Sequence, residues 1–158
     1  REDGLSQAEK RAASEELLKI FRIMESKGYQ FGYRIGVEAL RFILFHKRLT
    51  SDTWRILDAI DAVCLQKLLP KLHGSRTTME SLIWGLAKFA HAEIADAELD
   101  EKLITPMLTM STSIDPLAFD KDGVPLMKPD DARMMLSFDK LYRMARKVRD
   151  GFVSFAEA

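Results

Sequence analysis

The stretch from Asp58 to Phe89 constrains the fold most, because it specifies two helices and the corner between them. Apolar residues recur at helical spacing up to Pro70, and the pattern stops at His73-Gly74. Proline lacks a backbone donor and glycine tolerates left-handed geometry, so both residue types end helices. Thr77-Thr78-Met79-Glu80 then has the spacing of a capping box, which predicts the start of the next helix.

The corner also makes specific structural predictions. Leu68 and Leu72 continue the apolar stripe of the first helix, so we expect both to be buried. Gly74 lies where the chain must change direction, so we expect a positive φ there. A β-branched residue in its place would then be strained.

Helical spacing recurs along the rest of the chain. Ser6-Gln7-Ala8-Glu9 is a capping box, and Gly28 is placed to end the helix that it starts. A second helix is expected from near Tyr33 to near Leu49, and Thr50-Ser51-Asp52 offers caps for the third. The apolar stripes of the first two helices are Leu17, Leu18, Phe21 and Met24, then Val37, Leu40, Ile43 and Leu44. With no strongly alternating strand pattern, the class is all-α, with about five or six packed helices.

The C-terminal third is less regular. Residues 105–129 hold four of the five prolines, which predicts a long loop or insertion. Within it, Asp120-Lys121-Asp122-Gly123 has the composition of a turn, with a small hairpin as an alternative. Asp96 to Ile104 is compatible with a short acidic helix. The last helix is expected from Ser137, as its cap, to about Asp150, with Gly151 ending it.

Composition limits the class of protein. At 158 residues and 47% apolar residues the chain fits one domain, residues 1–158, with an ample core. Lys plus Arg equals Asp plus Glu, at 24 each, so there is no global attraction to nucleic acid or to anionic membranes. A single cysteine, Cys64, excludes an internal disulfide. With no signal-peptide pattern and no long apolar run, we expect a cytoplasmic protein without a membrane partner.

Three segments carry a family resemblance. QKLLPKLHGSR (Gln66 to Arg76), FGYRIGVEALRFI (Phe31 to Ile43) and SFDKLYRMARKVRDGFVSF (Ser137 to Phe155) resemble segments of the McrB-type AAA+ NTPases of methylcytosine-dependent restriction systems. The matches keep the family order and span most of residues 17–155, whereas 96–133 has no counterpart. The resemblance implies an AAA+ lid-like helical bundle that belongs to the C-terminal region of such a subunit.

The same resemblance implies a set of partners and a cofactor. The parent protein would hydrolyse GTP or ATP with Mg²⁺ and would assemble into a ring. Its partners would be its own AAA+ core domain, neighbouring subunits, a nuclease subunit of the McrC type and, indirectly through other domains, DNA. These 158 residues contain no GxxxxGK[ST] phosphate loop, so we expect no NTPase activity from them alone. Because the chain opens Arg1-Glu2-Asp3-Gly4 without methionine, we interpret it as the C-terminal piece of a longer protein.

Two sets of candidate site residues follow. The Gly-Tyr-Arg start of the second helix resembles the sensor-2 helix of AAA+ lids, which makes Arg34 a candidate contact for nucleotide phosphates. The alternative is a solvated arginine or one paired with Glu38 at i+4. The corner residues Lys67, Lys71, His73 and Arg76 are candidates for an interface with a core domain or neighbouring subunit. Alternatively, Pro70 and Gly74 only shape a turn and those charges face water.

Other kinds of site are not supported by spacing. The three histidines His46, His73 and His91 lie on different predicted elements, so we expect no metal site. No catalytic constellation can be defended either. The alternative to an NTPase lid is a stand-alone helical protein–protein interaction module with no nucleotide role.

Overall fold

The computed structural model describes residues 4–30, 32–50 and 54–158. The described part forms six α-helices: α1 Gln7–Glu25, α2 Tyr33–Leu49, α3 Ile56–Val63, α4 Arg76–His91, α5 Thr105–Leu108 and α6 Met135–Val148. Two short strands, β1 His73–Ser75 and β2 Phe152–Ser154, pair as an antiparallel ribbon. The predicted all-α class is confirmed, whereas the ribbon was not expected from the sequence.

The first helix begins and ends as its sequence predicts. Ser6 Oγ accepts a hydrogen bond from the Glu9 amide at 3.1 Å, and Glu9 Oε1 accepts one from the Ser6 amide at 2.8 Å. Both halves of the capping box are therefore present. Gly28 follows the helix with a φ of +85°. The caps proposed at Ser51 and Asp52 lie outside the described residues.

The corner after α3 is a helix that changes its pitch before it stops. Residues Cys64–Leu68 form a π-helical turn, and Leu69–Lys71 tighten into a 3₁₀ turn that contains Pro70. The Leu69 amide donates to the Cys64 carbonyl, five residues back, and Pro70 has no amide to continue the pattern. Leu68 and Leu72 are buried and Gly74 has a φ of +148°, so the three predictions for this corner are confirmed.

The start of α4 differs from the prediction. Its N-cap is Ser75, and the helix begins at Arg76, so the capping box proposed at Thr77 is wrong. The Arg76 amide donates instead to the Gly151 carbonyl at 2.9 Å, beside the ribbon. In a capping box, the Glu80 side chain would accept from the Thr77 amide. It accepts instead from Arg76 Nε at 3.1 Å. Pairing with a distant segment therefore sets this helix start.

Helix α4 forms the centre of the core. It packs against α6 and α1, while α2 packs mainly on α3. Five of its apolar residues at helical spacing are buried: Leu82, Ile83, Leu86, Phe89 and Ala90. A helix that is buried on most of its surface must lie at the middle of a bundle rather than at its edge.

The start of α6 is capped from another helix. Its N-cap is Met134, so the prediction of Ser137 as the cap is wrong. The buried Asp61 of α3 accepts from the Leu136 amide at 2.9 Å and from the Ser137 amide at 2.8 Å. Ser137 Oγ donates in return to the Asp61 carbonyl at 3.1 Å. A carboxylate at a helix N-terminus satisfies free amides and offsets the positive end of the helix dipole.

Residues 105–129 belong to the packed body. The segment opens with α5, which holds Pro106 in its first turn. Four of its apolar side chains are buried in the main core: Met107, Ile114, Leu117 and Met127. The predicted turn is confirmed, because Phe119 and Pro125 form an isolated bridge and Gly123 has a φ of +78°.

A largely buried ion pair joins α1 to the segment before α6. Arg133 Nη1 lies 2.7 Å from Glu16 Oε1, and both side chains are 14% exposed. Arg133 also donates from Nε to the Phe89 carbonyl and stacks 4.5 Å from the Phe89 ring centre. Burial raises the pKa of Glu16, but hydrogen bonds from Lys19 and Arg133 and their charges outweigh it, so the net pKa is lowered.

The direction of that pKa shift predicts how stability depends on pH. A carboxylate with a lowered pKa in the folded state stabilises the fold above its unfolded pKa and loses that contribution as the pH falls through the folded pKa. We expect Glu16→Gln to lower the free energy of unfolding by about 1–2 kcal/mol at pH 7. Urea midpoints at pH 7 and pH 3 test this, because the deficit should shrink at pH 3. Glu98→Gln, in the exposed pair with Lys102, is the control and should have little effect at either pH.

Candidate functional site

Arg34 lies in the first turn of α2, directly after the helix start at Tyr33. Its side chain is 89% exposed, and its Nε lies 3.2 Å from Glu38 Oε1, one turn further along the same helix. A pair this exposed exchanges readily with water, so the guanidinium stays available to an external anion. The structure therefore shows both the accessible arginine and the i, i+4 partner that the sequence offered as an alternative.

The corner residues Lys67, Lys71, His73 and Arg76 are all exposed. Within the described ranges, the side chains of the first three make no hydrogen bond or ion pair, whereas Arg76 is fixed. Its guanidinium contacts Glu80 and donates from Nη1 to the Arg149 carbonyl at 3.2 Å. Arg76 thus connects the start of α4 to the end of α6, and it has a structural role whatever else it binds.

The ribbon adds an outer surface to this corner. His73 pairs with Ser154, Gly74 with Val153 and Ser75 with Phe152. Directly opposed residues of an antiparallel pair point to the same side, and successive residues alternate. Val153 is buried, so Gly74 faces inward with it, while His73, Ser75 and the 56% exposed Phe152 face outward. The sequence analysis missed Phe152, because three-residue strands carry no alternation that can be recognised.

The two predicted sets of site residues are not joined to each other. Arg34 lies on α2, and the corner follows α3. No hydrogen bond or ion pair between described residues connects Arg34 with any of the four corner residues. They would act together only by contacting the same neighbouring domain.

An open groove runs between α1 and α2, a feature that the sequence analysis did not predict. It consists of two adjoining hollows of about 470 and 420 Å³, which share Ser14, Val37 and Leu40. We call this the α1–α2 groove. Its further lining residues are Gly4, Leu5, Lys10, Leu17, Leu18, Phe21, Gly32, Gly36, Arg41 and Leu44.

The groove exists because the core covers only part of the apolar stripes of α1 and α2. Leu18, which the sequence places on the apolar stripe of α1, is 59% exposed, so this part of the stripe lies outside the core. Of the predicted α2 stripe, Ile43 is buried, whereas Val37, Leu40 and Leu44 are half-buried along the groove. An ion pair of 2.7 Å between Lys47 and Glu9 holds α2 to the start of α1.

The described residues contain no group of three or more His, Cys, Asp or Glu that could hold a metal ion. Cys64 is buried, and burial together with the charge of Asp61 raises the pKa of its thiol far above the usual range. A thiol that stays protonated is a poor nucleophile and a poor metal ligand. Across the described ranges, we find no helix with the length and apolar character that crossing a bilayer requires.

A family model described as "Domain of unknown function (DUF8727)" matches residues 2–152. No curated protein and no solved structure matches the chain.

Proposed function

The chain belongs to the DUF8727 family, and we propose that it serves as the helical lid of an AAA+ NTPase subunit of the McrB type. The parent protein would hydrolyse GTP or ATP with Mg²⁺ as part of a cytoplasmic DNA restriction system. Its lid would contact its own core domain and neighbouring subunits, while a nuclease subunit of the McrC type would cut the DNA. The proposal rests on the resemblance of three segments, and the position of Arg34 is the structural observation that carries it.

The position of Arg34 suits contact with a phosphate. A guanidinium remains charged at all physiological pH values and can bind two phosphate oxygens at once. Arg34 projects from the first turn of a helix of 17 residues, so its backbone is firmly placed. Its one ion-pair partner among the described residues is the exposed Glu38, which a phosphate could replace at little cost. In this role, Arg34 would stabilise negative charge that develops on the phosphates.

The corner suits contact with protein. Lys67, Lys71 and His73 are exposed around a backbone that two buried leucines, a π-helical turn and the ribbon hold in place. A fixed backbone presents such side chains at little entropic cost, which favours binding. We therefore assign these residues, together with Arg76, to the interface with the core domain or with the adjacent subunit.

Substitution of Arg34 tests the nucleotide role. In the protein expressed from its complete gene, Arg34→Ala should lower kcat for GTP or ATP hydrolysis by at least about tenfold while changing KM less, because the contact matters most in the transition state. Arg34→Lys should recover only part of the rate, since lysine lacks the two-point fork. Phosphate release measured over a range of nucleotide concentrations separates kcat from KM.

Arg55→Ala is the matched control, because Arg55 is also an exposed arginine paired within its own helical turn, with Asp58 at 2.9 Å. It should leave hydrolysis unchanged. Equal rates for Arg34→Ala and the unmodified protein would remove Arg34 from the nucleotide site. A complete protein that releases no phosphate from either nucleotide would overturn the proposal.

A second candidate function is a helical interaction module with no nucleotide role. The α1–α2 groove favours it, because this apolar surface remains uncovered when all described helices are packed. The two candidates differ in one measurable respect: binding by an interaction module would not change when GTP or ATP is added or removed.

A further inference from the structure

We propose that the α1–α2 groove binds an amphipathic helix of another protein, one whose apolar stripe is flanked by carboxylate side chains. The inference concerns residues other than Arg34 and the corner, and it does not depend on a nucleotide role. It rests on the shape of the groove, on the state of its backbone and on the sign of its charges.

The groove is long enough to bind one helix along its length. From Lys10 to Phe21, its lining residues on α1 span twelve residues, which is eleven steps and about 17 Å at the rise of an α-helix. The lining is mainly aliphatic, with the exposed Leu18 on one side and Val37, Leu40 and Leu44 on the other. A third helix laid along this surface would remove the apolar stripe from water, which is the main driving force for helix-in-groove binding.

The walls of the groove favour a helix over an extended peptide. Apart from Gly4, Leu5 and Gly32, the lining residues lie on α-helices, whose backbone groups are already bonded within each helix except in the first and last turns. An extended partner would therefore bury amides and carbonyls without receiving bonds in return, which costs free energy for each group. A helix satisfies its own backbone and needs only side-chain contacts.

The charges on the groove determine which helix fits. Its charged lining residues are Lys10 and Arg41, and the described lining includes no Asp or Glu. Neither cation has an ion-pair partner among the residues that the structure describes. Carboxylates at the edges of the partner's apolar stripe would meet these cations, which favours the correct partner and raises its association rate. Helix α2 of a second copy is a poorer fit, because its exposed residues include Arg34, Arg41 and Arg48.

Small residues in the groove allow a partner helix to approach closely. Ser14, Gly32 and Gly36 line the hollow beside Leu18 and Phe21. A methyl group placed on Gly36 would lie 3.9 Å from Phe21 Cε2, an ordinary contact, so packing within the chain does not require glycine there. A larger side chain at position 36 would therefore start without a clash at its Cβ and would extend into the groove.

Binding of designed peptides tests the proposal. The probe is an acetylated and amidated helix of about 18 residues, about 27 Å long, with leucines along one face and glutamates beside them. A second peptide carries lysines in place of the glutamates. By fluorescence anisotropy at low salt, we expect the glutamate peptide to bind at least ten times more tightly than the lysine peptide. Added NaCl should reduce that difference, because salt screens exposed charges.

Substitutions then locate the binding site. Gly36→Leu should weaken binding of the glutamate peptide at least tenfold by occupying the groove. Lys10→Glu combined with Arg41→Glu should reverse the preference between the two peptides. The controls are Lys121→Glu and Phe119→Ala, which change an exposed lysine and an exposed aromatic residue at the turn around Asp120–Gly123. Neither residue lines the groove, so both affinities should stay unchanged. Circular dichroism melting curves confirm that every variant is folded.

Three results would overturn the proposal. The first is no measurable binding of the glutamate peptide, and the second is equal binding of the two peptides. The third is a Gly36→Leu variant, folded by circular dichroism, that binds as the unmodified protein does. Sedimentation over a range of concentrations gives a further check, because self-association abolished by Gly36→Leu would show that a second copy occupies the groove.

Discussion

Gly74→Val is expected to lower the free energy of unfolding by about 2–6 kcal/mol, from strain of about 1–3 kcal/mol and a steric clash of similar size. Gly74 has a φ of +148°, which a β-branched residue adopts only under strain. Any Cβ there would also lie 2.9 Å from Thr78 Oγ1 and 3.2 Å from Met79 Cγ. Met79 is fully buried, so it cannot move away freely. Urea denaturation followed by circular dichroism measures the loss.

Gly28→Val separates the two causes. Gly28 also has a positive φ, +85°, but a Cβ there meets nothing within 4 Å. This control should show the strain without the clash, and it should therefore cost clearly less than Gly74→Val. Equal losses for the two variants would show that the close approach to Thr78 and Met79 contributes nothing.

Asp61→Ala is expected to cost at least about 2 kcal/mol, because a buried donor left without its acceptor loses about 1–3 kcal/mol. Two donors depend on this carboxylate, the buried amide of Ser137 and the partly buried amide of Leu136. Removing it also takes negative charge from the N-terminus of α6, which weakens the helix further. Thermal and urea unfolding would show a lower midpoint with little change in the secondary structure of the folded state.

Asp58→Ala is the matched control for Asp61→Ala. Asp58 lies one turn earlier on α3 and forms an exposed ion pair with Arg55. Exposed pairs contribute less than about 1 kcal/mol, so this variant should be close to the unmodified protein. If Asp61→Ala proved as mild as Asp58→Ala, the amides of α6 would have to find other acceptors, and our account of this helix start would fail.

The sequence predicted correctly what depends on neighbouring residues. The capping box of Ser6 and Glu9 needs four consecutive residues, and the positive φ of Gly74 follows from the proline and glycine of one corner. The starts of α4 and α6 were misplaced for the opposite reason. Gly151 accepts from the first amide of α4, and Asp61 caps α6 from 76 positions away. Local patterns at Thr77 and Ser137 contain no information about such partners.

Within the candidate site, too, some features depend on neighbouring residues and others on distant ones. The place of Arg34 in the first turn of α2 could be predicted, because the apolar spacing puts the helix start near Tyr33. The outward position of Phe152 could not, since it depends on pairing with Ser75. The α1–α2 groove does leave a signal in the sequence. The stripes of α1 and α2 hold more apolar residues than one core contact requires, and the surplus, including Leu18 and Leu40, lines the groove.

The ribbon affects the order in which parts of this protein can fold during synthesis. It joins the start of α4 to the segment after α6, where Arg76 bonds to a carbonyl 73 positions away. Closing so long a loop is entropically costly, so we expect the ribbon to form late in folding. During synthesis, the segment from Lys67 to Arg76 leaves the ribosome well before β2 exists. This surface therefore reaches its final shape only after β2 has been made, and a chain cut before β2 could not present it in that shape to a partner.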